Sequence, residues 1–489
     1  MKLQYSVIAL AMLAMGAAQA GTPLLPSDAA AATTAGNVVY VSGSSALRFS
    51  LASGFVAMCD ASTITVFGNT NGSSAPGNNV RGYACTLKTT IAPKSGGGTA
   101  FAAGTNVVFN KYDQGGSING IQPLVLNTAL SYLNYGACTS TGLVRSGSFD
   151  LTKIDYSCSQ GNTVVPQMGV SDVEAATIQN VNNLADNVSA VATSTLTGGV
   201  HSVAMAGVAV NLPLYRALQA AQGLTQDDTE ANAPSLPLTF LSTVESGNAS
   251  PQNGTGFNAL IPSNGAANAT DSAQQAVNLC SRNNGSGTKA MHNAFLLSTP
   301  CSTAGLAPVG GNTHVSNTIG TPTEVGNNDA TVTLNSSTGN VISCMQHATT
   351  DTVLTSASYY RNWAIGMVGL ENDPGAGTSS DAGWRFVKVS GVYPSLANGQ
   401  IGAYPMTYEN YMYWPAKGLA TKISQFAKWL QNDAVTPTAL STTPDVGTRQ
   451  GILANSNFSI TDPNYSSVTN WIARTTRSGS SCAPQQLVQ

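Results

Sequence analysis

Short apolar segments that run into glycine- and serine-rich turns recur along the chain. Asn37–Val41 leads into Ser42–Leu47, and Asn106–Asn110 leads into a turn that contains Gly115, Gly116 and Ser117. Each apolar segment has the length of a buried strand, and apolar residues at helical spacing follow each turn. The pattern therefore predicts repeated strand–turn–helix units.

The same pattern continues in the middle of the chain. Val203–Val210 is almost continuously apolar, as in a buried parallel strand, and precedes a predicted helix at Leu212–Ala221. An apolar run at Ala276–Cys280 precedes Arg282–Thr288, which reads Arg-Asn-Asn-Gly-Ser-Gly-Thr, and Lys289–Leu297 has a helical pattern. Repeated units of this kind predict an α/β fold with a largely parallel sheet, in which ligands bind at the carboxyl ends of strands.

The last third of the chain is rich in aromatic residues. Strands are predicted within Trp363–Leu370 and Ala403–Trp414, and an amphipathic helix within Lys417–Leu430. These elements complete the α/β pattern.

The segment Arg282–Thr288 has two interpretations. The free backbone N–H groups of a helix N-terminus, together with Gly285, Gly287 and the Arg282 guanidinium, form a suitable cradle for an anion. Alternatively, Ser286 or Thr288 merely caps a surface helix and Arg282 is solvated. The turn at Ser42–Leu47 has the same two interpretations.

Asp172 also has two interpretations. Ser171 and Glu174 fit a capping box, which would make Asp172 a carboxylate in the first turn of a helix. Alternatively, the carboxylate faces a cleft and accepts a hydrogen bond from a ligand.

The N-terminus of this 489-residue chain predicts export. Lys2, the apolar run Val7–Ala17 and Ala18-Gln19-Ala20 form a signal peptide over residues 1–20 of bacterial type, so the expected location is periplasmic or extracellular. No later stretch is apolar enough to predict membrane insertion. Charged residues make up only 9% of the chain and the net charge is -3, which argues against a nucleic-acid partner.

The eight cysteines predict disulfide bonds in an exported chain. Short separation favours Cys59–Cys85 and Cys138–Cys158, then Cys280–Cys301, which leaves Cys344–Cys482; spacing leaves other pairings open. No Cys-x-x-Cys pair or Cys/His cluster indicates zinc, and we expect neither a metal nor a cofactor.

Four segments, in order and context, resemble the phosphate-binding proteins of bacterial phosphate ABC importers: Ser42–Leu47, Gly115–Ser117, Gly169–Asp172 and Arg282–Thr288. The resemblance runs discontinuously from about residue 37 to about residue 430. It implies a type II periplasmic-binding-protein fold, with two α/β domains joined by two crossovers around a ligand cleft. Domain one would contain residues 37–200 and 362–489, and domain two residues 201–361.

The resemblance also implies roles for individual residues. Arg282 would make the charged contact to phosphate oxygens, and Asp172 would accept a hydrogen bond from a protonated oxygen, which disfavours sulfate because sulfate carries no proton at neutral pH. The remaining ligand-binding positions would lie in three of the four segments. They are Ser44, Ser45 and Ala46 in Ser42–Leu47, Ser117 in Gly115–Ser117, and Ser286, Gly287 and Thr288 in Arg282–Thr288.

Two positions depart from the family pattern. Ala46-Leu47-Arg48 stands where the family places Thr and an aromatic residue, and Asn284 replaces the common acidic residue. We expect the loss of that negative charge beside Arg282 to alter affinity or anion choice.

The sequence predicts a non-catalytic solute-binding protein for phosphate or a related oxyanion, with an inner-membrane ABC importer as the implied partner. The four histidines are scattered, without the spacing of a catalytic triad or a metal site, which argues against an enzyme. The alternative is an extracellular surface or matrix protein that keeps the fold without a transport role. Its low charge, polar insertions and predicted disulfides motivate that alternative.

Overall fold

The computed structural model describes most of the chain beyond the predicted signal peptide, which lies outside the described residues. These are residues 22–71, 75–143, 150–185, 187–249, 257–261, 277–309, 323–325, 330–350, 363–374, 383–436, 439–440, 451–455 and 472–488. Within these ranges, none of the helices has both the length and the apolar character needed to cross a membrane.

The described part of the chain contains both strands and helices. The strands are β1 Val38–Gly43, β2 Thr65–Asn71, β3 Ala75–Thr86, β4 Asn106–Tyr112, β5 Leu130–Ser140, β6 Tyr156–Val164, β7 Met168–Ser171, β8 Leu196–Asn211, β9 Ser235–Leu236, β10 Val277–Arg282, β11 Thr323–Val325, β12 Ala330–Asn335, β13 Ala364–Gly369, β14 Trp384–Phe386, β15 Lys388–Val389, β16 Thr407–Pro415, β17 Ile452–Ala454, β18 Thr475–Thr476 and β19 Gln486–Leu487. The α-helices are α1 Pro26–Thr34, α2 Arg48–Val56, α3 Gln122–Leu126, α4 Ala175–Ile178, α5 Leu212–Ala221, α6 Leu238–Glu245, α7 Gly287–Leu296, α8 Thr338–Thr350, α9 Leu396–Gln400 and α10 Thr421–Asn432.

Fifteen of the described strands form one sheet with two similar halves. In the first half the order is β4, β1, β7, β16 and the N-terminal part of β8; β4, β1 and β7 are parallel, and β16 is antiparallel to both of its neighbours. In the second half the order is β12, β10, β13, the C-terminal part of β8 and β14; β12, β10 and β13 are parallel, and β8 is antiparallel to its neighbours. This repeated order, with an antiparallel strand contributed by a crossover, is that of the type II periplasmic-binding-protein fold. The expected fold class is confirmed.

Strand β8 joins the two halves. It is 16 residues long, considerably longer than the predicted strand at residues 203–210. Met205 pairs with Thr407 of β16, and the next residue, Ala206, pairs with Gly369 of β13. The end of β13 and the start of β16 therefore occupy adjacent positions along one strand.

Strand pairing does not follow the sequence-based division of the chain. That division assigns residues 362–489 to domain one, but β13 and β14 pair with β10 and with the C-terminal part of β8 in the second half. The backbone hydrogen bonds of these two strands require neighbours from residues 206–211 and 278–280, so this part of the boundary needs correction. The remaining domain assignment stays a prediction.

The residues after the turn at Gly115–Ser117 predict a helix from Ile118 to Leu130, but the helix is shorter in the structure. A 3-10 helix at Gly116–Gly120 is followed by α3, which ends where Asn127 adopts a left-handed conformation with φ 54°. β5 then begins and pairs antiparallel with β6. The polar insertion at residues 131–165 thus contributes strands that extend the first half of the sheet.

Helices α2 and α10 contribute aromatic residues to the core beside β4. The Phe55 ring stacks on Phe109 with centroids 5.5 Å apart, and Phe426 lies 6.2 Å from Phe109. Ile423, Phe426 and Leu430 are buried on one side of α10, as their helical spacing predicts. Burial of these side chains holds α2 and α10 against the sheet.

Two of the four predicted disulfide bonds are confirmed and two are wrong. The structure contains Cys59–Cys85 and Cys138–Cys158, but the other pairs are Cys280–Cys344 and Cys301–Cys482. Cys280 on β10 and Cys344 on α8 are both buried, because α8 packs directly against β10. Tertiary packing, rather than proximity in sequence, decides these pairs.

The Cys301–Cys482 bond ties the loop after α7 in the second half to the C-terminal segment. The Ser481 backbone N–H donates to the Glu174 carboxylate at 2.9 Å, so this segment is anchored on the first half. The disulfide thus links the two halves through the C-terminal segment.

We predict that replacing both Cys301 and Cys482 by serine lowers the free energy of unfolding by about 2–5 kcal/mol, since the bond closes a long loop in the unfolded chain. The separation is 181 residues, against 20 for Cys138–Cys158. The matched double variant of Cys138 and Cys158 should lose about 2 kcal/mol less on the loop-entropy argument. Chemical denaturation under non-reducing conditions measures both, and an unchanged stability of the first variant contradicts the prediction.

Candidate functional site

The carboxyl ends of six parallel strands converge between the two halves. The residues at or just after these ends are polar or charged: Ser44, Asp113 and Asp172 in the first half, and Arg282, Ser336 and Glu371 in the second. Ligands of open α/β sheets bind at this kind of edge. It is the candidate binding site.

Asp172 is the point where side chains from both halves meet. It is 3% exposed, and its carboxylate accepts hydrogen bonds from the Ser44 hydroxyl and, at 3.1 Å, from the Thr288 hydroxyl of the second half. Burial raises the pKa of Asp172, while the bonds from Ser44 and Thr288 lower it. The carboxylate therefore faces the junction of the two halves.

The capping-box interpretation of Ser171 and Glu174 is not what the structure has. Glu174 is itself the residue before α4 and makes no side-chain cap, while its carboxylate accepts hydrogen bonds from Thr177 and Ser481. The Ser171 hydroxyl donates to the Val173 carbonyl at 2.6 Å. Glu174 is thus engaged by the C-terminal segment, and Asp172 is free of a helix-capping role.

The segment Arg282–Thr288 combines features of both of its interpretations. Ser286 is the N-cap of α7, and its hydroxyl accepts from the Lys289 backbone N–H at 3.4 Å. Arg282, in contrast, is only 5% exposed, so the interpretation as a solvated arginine is wrong. Gly285 has φ 87°, a conformation that favours glycine.

Backbone contacts bring this segment against the first half. The Ile118 N–H donates to the Gly285 carbonyl at 3.0 Å, and the Gly285 N–H donates to the Asn183 carbonyl at 2.7 Å. A Cβ atom at Gly287 would lie 2.2 Å from the Ser117 hydroxyl oxygen. Only glycine permits this approach, which places Ser117 and the start of α7 side by side.

Ser117 and the first turn complete the predicted set. The Ser117 hydroxyl accepts from the Asp172 backbone N–H at 3.1 Å, and the Ser44 hydroxyl accepts from Ala46 N–H at 3.2 Å. Ala46 is buried, whereas Ser45 is partly exposed. The structure thus brings Ser44, Ser117, Asp172, Gly287 and Thr288 together, with Ser45 nearer to the rim.

The Arg282 guanidinium is held by the loop after β12. Nη1 donates to the Thr338 hydroxyl at 3.0 Å and Nη2 to the Ser336 carbonyl at 3.1 Å, while Nε is buried without a hydrogen-bond partner among the described residues. Burial lowers the pKa of Arg282 to about 10, and Asp172 raises it. The guanidinium therefore stays charged at neutral pH and is not paired in contact with a carboxylate in the described structure.

Three charged residues under the first turn are absent from the sequence-based set. Lys111 is buried and donates to the carbonyls of Gly43 and Ser44 at 3.0 and 2.9 Å. Asp113 forms ion pairs with both Lys111 and Arg48. Arg48, which is unexpected in the family pattern, thus forms an ion pair with Asp113. Together the three residues stabilise the turn that contains Ser44.

Glu371, His292 and Tyr408 are further residues of this region that sequence reasoning missed. Burial raises the pKa of Glu371 to about 8, and burial lowers the pKa of His292 to about 3, so both side chains are largely neutral near pH 7. The Asp172 carboxylate also raises the pKa of Glu371, and the Arg282 guanidinium lowers the pKa of both Glu371 and His292. Glu371 was recognisable as an acidic residue just after a predicted parallel strand.

The arrangement suits the binding of an anion. It offers a charged guanidinium, hydroxyl donors and a helix N-terminus on one side, and a carboxylate acceptor on the other. Within the described ranges, no group of three or more His, Cys, Asp or Glu side chains is placed to hold a metal ion.

Comparison with known proteins gives distant structural likeness only. No protein-family model matches the chain, and no curated protein matches its sequence. The chain is similar to the structure of a protein from Clostridium perfringens assigned as a phosphate ABC transporter substrate-binding protein with bound phosphate, at 11% identity and a TM-score of 0.39, covering 85% of this chain and 99% of that one.

Two further structures are similar over smaller shares. An ABC-type phosphate transport receptor from Vibrio cholerae matches at 12% identity and a TM-score of 0.28, over 55% of this chain and 75% of that one. PstS from Borrelia burgdorferi matches at 13% identity and a TM-score of 0.28, over 59% and 79%. At these values the likeness assigns no function, and the fold rests on the strand order of the chain itself.

We predict that Glu371→Gln changes how stability depends on pH. The folded-state pKa of about 8 lies above the ordinary value of 4.5, so unfolding releases a proton between these values and wild-type stability falls as pH rises through this window. The variant lacks this loss and should be more stable than wild type by about 2–4 kcal/mol at pH 8, with a smaller difference at pH 5. Denaturation at pH 5, 6.5 and 8 measures it, with exposed Glu230→Gln as control; parallel pH curves for wild type and Glu371→Gln contradict it.

Proposed function

We propose that the protein is an exported solute-binding protein that captures phosphate or a related oxyanion between the two halves of its sheet, without chemical conversion. The observation that carries this proposal is the position of Arg282. Its buried, charged guanidinium lies at the carboxyl edge of the parallel strands, near the Asp172 carboxylate and the start of α7.

The ligand is expected to lie among donors from both halves. Arg282 supplies charge, and Ser286, Gly287 and Thr288 supply hydroxyl or backbone N–H donors near the positive end of the α7 dipole. Ser117 adds a hydroxyl from the first half. Ser44, Ser45 and Ala46 form the adjoining wall of the binding site, since the Ser44 hydroxyl donates a hydrogen bond to the Asp172 carboxylate.

Asp172 gives the site its chemical preference. A buried carboxylate accepts a hydrogen bond from a protonated oxyanion and repels an anion that has no proton to offer. Phosphate, as its mono- or dibasic ion, fits this requirement and sulfate does not. Asn284 carries no charge beside Arg282, which leaves the guanidinium available to the anion.

The biological setting follows from the same proposal. The signal peptide at residues 1–20 would deliver the protein to the periplasm or medium, and an inner-membrane ABC importer would receive the bound anion. A surface or matrix role without transport is the alternative, and failure of the mature protein to bind any tetrahedral oxyanion would favour it.

We predict that the mature protein binds phosphate saturably and that Arg282→Ala weakens this binding by about 100-fold, because charged hydrogen bonds to the anion are lost. Isothermal titration calorimetry measures both. Arg216→Ala is the matched control, since Arg216 pairs with Asp228 outside the site. Equal affinities of wild type and Arg282→Ala, or an equal loss in the Arg216 variant, contradict the assignment of Arg282.

We predict that Asp172→Asn reduces the preference for phosphate over sulfate by about tenfold or more, since an amide no longer repels an unprotonated anion. Competition titrations with phosphate and sulfate on wild type and variant measure the ratio of dissociation constants. An unchanged ratio in a folded variant contradicts the role of Asp172.

A further inference from the structure

Tyr408 lies on β16 at the place where the two halves join. β16 runs antiparallel to β7, and Tyr411 lies opposite Ser171, the last residue of β7. Tyr408 precedes Tyr411 by three residues, so it lies beyond the carboxyl end of β7, on the side where Asp172 follows. On its other neighbour, β8, Tyr408 pairs with Ala204, close to the Met205–Ala206 step at which β16 gives way to β13. Its backbone is therefore at the edge that carries the candidate site.

The Tyr408 hydroxyl is buried and unpartnered. The residue is 2% exposed, and its oxygen has no hydrogen-bond partner among the described residues. Other tyrosines of β16 differ: the Tyr411 hydroxyl donates to Glu409 at 3.4 Å, and the Tyr413 hydroxyl accepts from the Ala175 N–H at 3.1 Å. A buried hydroxyl without a hydrogen-bond partner lowers stability, and a ligand bound at the site would provide that partner.

The charged groups of the site interact electrostatically with this hydroxyl. Burial raises the pKa of Tyr408 well above its ordinary value, Asp172 and Glu371 raise it further, and Arg282 lowers it. Arg282 and Asp172 belong to opposite halves, and Glu371 follows β13. The phenol is therefore protonated, and hence a hydrogen-bond donor, at neutral pH.

We propose that the Tyr408 hydroxyl is a ligand-binding donor, which hydrogen-bonds the oxyanion held between Arg282 and Asp172 from the side of the β8–β16 crossover. The inference rests on the proposed function and extends its residue set to the junction of the halves. Donors from α7, from the first half and from this crossover approach the ligand from different directions. A tetrahedral anion such as phosphate or arsenate presents oxygens in all of these directions, whereas planar nitrate does not.

The test compares Tyr408→Phe with the control variant Tyr411→Phe. Both tyrosines are buried on the same strand, but the Tyr411 hydroxyl donates a hydrogen bond to Glu409. Glu409 in turn accepts a hydrogen bond from Thr476 of the C-terminal segment. We expect Tyr408→Phe to weaken phosphate binding about tenfold by calorimetry, since a hydrogen bond to a charged ligand is lost. The melting temperature of the phosphate-free variant should equal or exceed that of wild type, because no hydrogen bond within the protein is lost. Tyr411→Phe should bind phosphate as wild type does.

Each contrary result has a defined meaning. Wild-type phosphate affinity in Tyr408→Phe overturns the inference and leaves the proposed function intact. A phosphate-free variant that melts below wild type, with unchanged affinity, also overturns it by assigning the hydroxyl a structural role. Wild-type protein that binds neither phosphate nor arsenate overturns the proposed function, and the inference with it.

Discussion

The hydrogen bond from Thr288 to Asp172 crosses from one half of the sheet to the other inside a buried region. A buried carboxylate is costly unless hydrogen-bond donors surround it, and two hydroxyls, from Ser44 and Thr288, serve Asp172. The close approach of α7 depends on this bond and on the absence of a side chain at Gly287. Separation of the halves would expose the carboxylate to water or to a ligand in place of Thr288.

Strand β8 makes that meeting possible. Because one part of the strand pairs with β16 and the adjoining part with β13, the carboxyl edges of both halves face the same junction. The Cys301–Cys482 bond adds a second, covalent connection through the C-terminal segment. A ligand at the junction would therefore contact residues far apart in sequence, from Ser44 to Tyr408.

Much of the fold was predictable from the sequence because its signals are local. The apolar strands β1, β4 and β13, the turn at Arg282–Thr288 and the helix that follows it all have short-range patterns. The two wrong disulfides and the assignment of β13 to domain one depend on contacts between distant segments. The spacing of residues along the sequence does not indicate such contacts. The helix at residues 118–130 was too long because left-handed Asn127 ends α3 before the apolar pattern stops.

The candidate site divides in the same way. Arg282, Asp172 and the glycine–serine turns were recognisable by residue type and context. Glu371 could have been found in the same way, as an acidic residue just after a predicted parallel strand. Tyr408 could not, because it is one of several aromatic residues in its strand, and only the pairing of β16 with β7 and β8 brings it to the junction. Lys111 and Asp113 likewise matter through burial and pairing, which no local pattern specifies.

A crystal structure of the mature protein grown with phosphate would show directly whether an oxyanion binds at the junction of the two halves. We predict a tetrahedral anion within hydrogen-bond distance of the Arg282 guanidinium and the Asp172 carboxylate, between the strand ends of the two halves. An empty junction at millimolar phosphate, or an anion bound only elsewhere, would contradict it.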